Sequence, residues 1–148
     1  DVKNIEKEPE NCVVVTDDND KAVGYVYGAS DYDTYHKNME EYLMGISEVS
    51  YGKYVPDAYV EMYNHYIYKD EYPAHLHIDI FGSHRSKGYG SDMIKAFCNN
   101  LKNKGIKGVM LIVGVENTRA QKFYERNGFK LLDKKDTGYA YGKKLLED

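Results

Sequence analysis

The period of the apolar positions changes several times along this chain, and each change marks an element. Cys12 to Thr16 is a β-branched run, the polar DDND turns the chain, and Lys21 to Gly28 follows as a second strand of a hairpin. From an N-cap at Asp31 or Asp33 the spacing becomes helical to about Glu48, with Tyr35, Met39, Tyr42 or Leu43, and Ile46 on one face. SYGKYVPDAY reads as a loop broken at Pro56. Asp57 to Asp70 reads as a second helix, with Tyr59, Met62 or Tyr63, Tyr66 and Ile67 aligned on one side.

Behind Pro73 a strand is predicted over Ala74 to Phe81, with Leu76, Ile78 and Ile80 on one face and His75, His77 and Asp79 on the other. A mid-sheet strand covered by helices should be apolar on both faces, so the polar face needs partners or a wet cleft. A helix over about Gly88 to Lys104 carries the core stripe Met93, Ile94, Phe97, Cys98 and Leu101, and Gly105 ends it. Lys107 to Val115 is a buried strand, and Asn117 or Thr118 then caps a short helix bearing Ala120, Phe123 and Tyr124, closed by Gly128. Phe129 to Leu132 and Gly138 to Leu146 form a last hairpin.

The turn between the central strand and its helix holds Arg85, Gly88 and Gly90 in the order RxxGxG. A strand running through a glycine-containing loop into a helix N-terminus suits an anion. The first amides of a helix lack intrahelical acceptors, and the dipole adds partial positive charge there. Gly88 and Gly90 let backbone approach a phosphate, while Arg85 and Lys87 add formal charge, so this loop is expected to bind a phosphate-bearing ligand. It has neither the GKS or GKT ending of a P-loop nor dinucleotide GxGxxG spacing, which places a nucleotide-phosphate enzyme behind other readings.

Composition adds limits. At 148 residues the chain reads as one domain, residues 1–148, with 1–10 a charged arm or a truncated start. A net charge of −4 supplies no global field for nucleic acid, and it makes the basic cluster His84, Arg85 and Lys87 stand out. Two cysteines, Cys12 and Cys98, have no metal or disulfide spacing, so a reduced, cytoplasmic setting is the simplest fit; no metal and no membrane span is expected. The chain has sixteen tyrosines and no tryptophan, and many of the tyrosines fall between Tyr51 and Tyr72, where amphipathic rings can cap a core edge.

Two motifs in fixed order, strand–RxxGxG–helix and then strand followed by NTRAQKFYERNGF, resemble the GNAT acetyltransferase family over the last three-fifths of the chain. YPAHLHIDIFGSHRSKGYG is similar, more loosely, to the acetyltransferase-like domain attached to some O-GlcNAcases and to related stand-alone bacterial proteins. The resemblance implies an α/β fold: a mixed, mostly antiparallel sheet with a splayed central strand pair and helices on both faces. The family's opening strand and helices do not fit into ten mostly charged residues, so either they are absent or the helices at 31–48 and 57–70 take over their work.

The activity so implied is transfer of acetyl from acetyl-CoA to an amine by direct attack. Backbone amides from Arg85 through Ser86, Lys87, Gly88, Tyr89, Gly90 and Ser91 would hold the pyrophosphate. The pantetheine would run beside Ile80 and Phe81, bonded by Asn117 and packed by Ala120 and Phe123, with a backbone N–H near Ile80 polarising the thioester. His77 and Asp79 are the candidate bases for the amine, and Tyr124 matches the family's tyrosine general acid. A competing reading is a module that binds acetyl-CoA or CoA without catalysis. The acceptor is an amine on a small molecule or a protein, and pairing of edge strands would give a homodimer.

Overall fold

The computed structural model describes residues 12–16, 19–50, 63–80 and 88–146. Strands β1 (Cys12–Thr16), β2 (Ala22–Ala29), β3 (Ala74–Ile80), β4 (Gly108–Val113), β5 (Lys130–Lys135) and β6 (Gly138–Lys144) form one sheet in the order β1-β2-β3-β4-β6-β5. Among the described residues three complete helices accompany it: α1 (Tyr32–Ser50), α2 (Tyr89–Asn103) and α3 (Thr118–Arg126). Residues 63–66 are also helical. Every predicted strand is present within two or three residues at its ends. Expected features in 1–11, 51–62 and 81–87 lie outside the described residues.

All strand pairs are antiparallel except β3 with β4, which run parallel and are joined only at Ala74↔Val109 and His75↔Met110. β2 stays paired with β3 from Ala29↔His75 to Gly24↔Ile80. Beyond His75, therefore, β3 keeps its β2 neighbour while its other edge parts from β4. This is the splayed pair that the resemblance implied.

The two faces of β3 are covered differently. Val26, Leu76, Val109, Leu111 and Val113 join Met93, Ile94, Phe97 and Leu101 of α2 and Tyr124 of α3 in the main core. The predicted α2 stripe is buried as expected, and Cys98 packs in it as a free thiol. On the opposite face a smaller cluster joins Ala29 to Tyr32, Tyr35 and Met39 of α1. α2 crosses β2 closely: a Cβ at Gly28 would collide with the His75 carbonyl and the Phe97 ring.

Caps explain the helix limits. Asp31 Oδ1 accepts from Thr34 N at 2.8 Å and starts α1, which resolves the choice between Asp31 and Asp33. At the end of α2, Gly105 N donates to Lys102 O and Ile106 N to Leu101 O, the paired bonds of a Schellman ending. α3 closes in the same way, with Gly128 N on Glu125 O and Phe129 N on Tyr124 O.

One sequence expectation is corrected. The aligned face Tyr63, Tyr66 and Ile67 is exposed, and Asn64 and His65 are buried instead. Residues 63–66 are helical and the chain passes into turns from 67, so the predicted helix to Asp70 ends early and Ile67 falls outside it. The tyrosines pack at their edges instead: Tyr66 meets Tyr32 edge-on at 5.5 Å, and Lys69 lies 5.2 Å over Tyr66. Among the described residues no helix is long and apolar enough to cross a membrane.

Candidate active site

The parting of β3 from β4 opens a cavity of about 690 Å³. Leu76 to Asp79 form one wall and Leu111 to Gly114 the other. The mouth is closed by the N-terminus of α2, through Gly88 and Ser91, and by α3, through Asn117, Ala120, Phe123 and Tyr124. Residues from both sequence motifs, some forty positions apart, thus meet around one space.

At the α2 end, Gly88 is the N-cap with φ 85° and ψ −5°, a left-handed conformation that glycine adopts at little cost. Gly88 has no side chain with which to cap this helix, and the first helical acceptor bond runs from Asp92 N to Gly88 O. The amides of Tyr89, Gly90 and Ser91 therefore point out of the helix end with no intrahelical acceptor. Gly90 is buried, whereas Ser91 is exposed on the cavity side. Phe81, Arg85, Ser86 and Lys87 lie outside the described residues, as does the side chain of Ile80. The Ile80 backbone ends β3 opposite Gly24.

At the α3 end, Asn117 is the N-cap, and its Oδ1 accepts from Ala120 N at 3.2 Å. Its side-chain amide N–H groups remain as donors on the cavity side. One and two turns on, Ala120, Phe123 and Tyr124 project from the same helix, Tyr124 buried against Phe123, Phe129 and Tyr141. That burial pushes the Tyr124 phenol up to about 12. It is thus a neutral O–H donor throughout the physiological range.

The polar face of β3 has both of the fates that its position allows. His75 is buried under α1, edge-on to Tyr35 at 4.3 Å. His77 and Asp79 reach the cavity instead. His77 is half-buried and lies flat on Tyr27 of β2, its registered partner, at 5.4 Å and 23°. Asp79, opposite Tyr25, is exposed.

Two charged lining residues were not anticipated from sequence: Arg119 and Arg126 of α3. They stand seven positions apart, which is two helical turns, so they share a side of the helix. That spacing was the available signal. Together with the α2 N-terminus they give the cavity a positive rim suited to phosphate groups. A negatively charged, extended ligand with an amide-bearing arm fits what these residues offer.

A family model described as the acetyltransferase (GNAT) family matches residues 1–129. The chain belongs to the GNAT acetyltransferase family. Solved structures place it in the same fold. The crystal structure of SsHAT is 26% identical with a TM-score of 0.80, covering 99% of this chain and 78% of that one. Ard1 from Thermoplasma volcanium is 19% identical, TM-score 0.64, over 99% of this chain and 78% of its own. The PaiA N-acetyltransferase from Thermoplasma acidophilum, solved in complex with coenzyme A, is 15% identical with a TM-score of 0.60, over 97% and 67%. The GNAT fold therefore accounts for the six-stranded mixed sheet and for its single parallel junction between β3 and β4.

Proposed function

We propose that this GNAT protein is an acetyl-CoA-dependent N-acetyltransferase, acting as one domain, in which a primary amine attacks the thioester directly with both substrates bound. The observation that carries the reading is the convergence of the uncapped α2 N-terminus, Asn117 and Tyr124 on the cavity between β3 and β4. A family in which relatives bind coenzyme A supports the same ligand. The similarity of YPAHLHIDIFGSHRSKGYG to the domain attached to some O-GlcNAcases supports a kinship within the family.

Acetyl-CoA supplies an activated acetyl group on sulfur. The amides of Tyr89, Gly90 and Ser91 bind its diphosphate, with Arg85 and Lys87 contributing charge, and Asn117 donates to the pantetheine. Ala120 and Phe123 pack along that arm. A backbone N–H near Ile80, on the strand edge that β4 leaves unpaired, polarises the carbonyl oxygen.

An ammonium has no lone pair, so His77 first takes a proton from the acceptor while Asp79 orients it. The new C–N bond then forms as the C–S bond breaks. Tyr124 donates a hydrogen bond to the departing sulfur. A phenol pushed up to about 12 is a weaker acid than a thiol at about 8.5, so it does not simply give its proton away. The second proton of the amine nitrogen passes through the Tyr124 hydroxyl to sulfur, leaving an amide, a free thiol and a neutral phenol.

Incubation with acetyl-CoA and a panel of small and peptide amines, followed by thiol release and product mass, tests this directly. Acetylated amine with equimolar free thiol is expected. Binding of acetyl-CoA with no transfer to any acceptor class would favour the non-catalytic module.

A further inference from the structure

Two buried histidines behind the cavity are not used by the scheme above. His65 and His75 are 4% and 2% exposed, and their rings stack at 4.2 Å and 22°. Tyr35 stands edge-on to both, at 5.8 Å from His65 and 4.3 Å from His75. Among the described residues, His65 Nδ1 and His75 Nε2 have no hydrogen-bond partner. A buried polar atom without a partner costs stability, and an apolar ring would fill the same space without that cost. Burial holds both groups neutral, His65 down to about 3 and His75 well below its ordinary value.

What lies beside this pair is His77. Its ring is perpendicular to that of His75, at 88°, with centres 5.9 Å apart, while its face rests on Tyr27. His75 also sits at the point where β3 last touches β4, so its position is fixed by the sheet on both sides. We infer that His75 is a positioning residue for His77, its buried Nε2 serving as a hydrogen-bond acceptor that gains a partner when His77 becomes protonated. This inference rests on the reading of His77 as the base.

The physics is that of a preorganised dipole. Desolvation of the His75 lone pair is already complete in the folded protein, so an N–H of the His77 imidazolium meets an acceptor that has no water to lose. A small turn of the half-buried His77 ring brings its edge toward Nε2, while the stack on His65 and Tyr35 keeps the His75 ring still. Among the described residues, the other titratable and charged groups beside His77 on its own and the next strand include Tyr27 and Tyr25 on β2 and Asp79 on β3. Tyr35 from α1 and His65 stand behind His75, and Arg119 and Arg126 lie across the cavity. The two arginines oppose a charge on His77 and Asp79 favours it, so a neutral acceptor close at hand adds to the favourable side.

The test uses nitrogen-resolved NMR of the imidazoles in the full chain, with no cofactor or acceptor present. His75 Nε2 should show the signature of an unprotonated nitrogen, and the His77 titration midpoint should fall by about one pH unit in His75→Phe. In the same variant kcat should fall with the acid limb of its pH profile displaced downward, the KM for acetyl-CoA unchanged, and thermal stability kept or raised. A protonated Nε2, or a His77 midpoint that does not move, would overturn the inference. Should His75→Phe fail to fold, the protonation state of Nε2 in the unaltered protein still decides it. Because these readings need no turnover, they stand apart from any failure of the acetyl-transfer reading.

Discussion

His77 of β3 lies flat against Tyr27 of β2, ring centres 5.4 Å apart and planes 23° apart, while its neighbour two residues back, His75, is sealed under α1. One strand face thus supplies an imidazole to the cavity and keeps another out of water. Replacing His77 with Gln should retain much of the packing on Tyr27 but remove the base. A fall in kcat of about a hundredfold is expected, on the scale of general-base catalysis, with acetyl-CoA affinity unchanged. Steady-state kinetics over a pH range will show whether the acid limb disappears with the imidazole.

In the proposed mechanism Tyr124 offers the leaving sulfur a neutral hydroxyl, and its ring packs on Phe123, Phe129 and Tyr141. Tyr124→Phe retains the ring and deletes only that hydroxyl. Turnover should drop by about tenfold or more, with little change in the KM for acetyl-CoA. Equal kcat in the two proteins would remove Tyr124 from the proton route.

Asn117 has two separable duties, capping α3 through Oδ1 and offering N–H donors to the cavity. Asn117→Asp retains the cap acceptor and loses the donors, whereas Asn117→Ala loses both. Stability should fall by about 1 kcal/mol only in the Ala variant, while both bind acetyl-CoA more weakly. Parallel denaturation and titration experiments separate the two effects.

Gly88 adopts φ 85° at the uncapped start of α2. Gly88→Glu would strain that conformation and bring a negative charge to a phosphate site, and Gly90→Asp would place one in the buried first turn. Loss of measurable acetyl-CoA binding is expected for each, and retained affinity would contradict the loop assignment.

His65, held neutral by burial down to about 3, makes stability depend on pH. Its folded value lies below the unfolded one near 6.5, so between these limits the unfolded chain binds more protons. Stability is then full above about pH 6.5 and falls by about 1.4 kcal/mol per pH unit toward pH 3, with His75 acting in the same direction. Denaturant midpoints at pH 7.5 and 5 should differ accordingly, and His65→Phe should reduce the slope.

Much of this was legible in the sequence because it is local. The alternation of Leu76, Ile78 and Ile80 against His75, His77 and Asp79, the α2 stripe and the caps at Asn117 and Gly105 are all set by neighbours within a few residues. The parting of β3 from β4 was reached through family resemblance, not from periodicity, since no local pattern encodes where two distant strands stop pairing. The pairing of β2 with β3 across two intervening helical segments is equally non-local. Burial of His65 in place of Tyr63 and Tyr66 reversed the expected face, because the orientation of this segment follows from what it packs on, with Tyr35 and His75 against His65. Arg119 and Arg126 had a spacing that pointed to one side of α3, but that this side is the cavity follows only from the placement of the helix.

The central claim is that the cavity between β3 and β4 binds acetyl-CoA. Calorimetric titration of the chain with acetyl-CoA, CoA and ATP tests it most directly. Micromolar binding of the first two and none of ATP is the predicted result. Absence of acetyl-CoA binding would contradict the account.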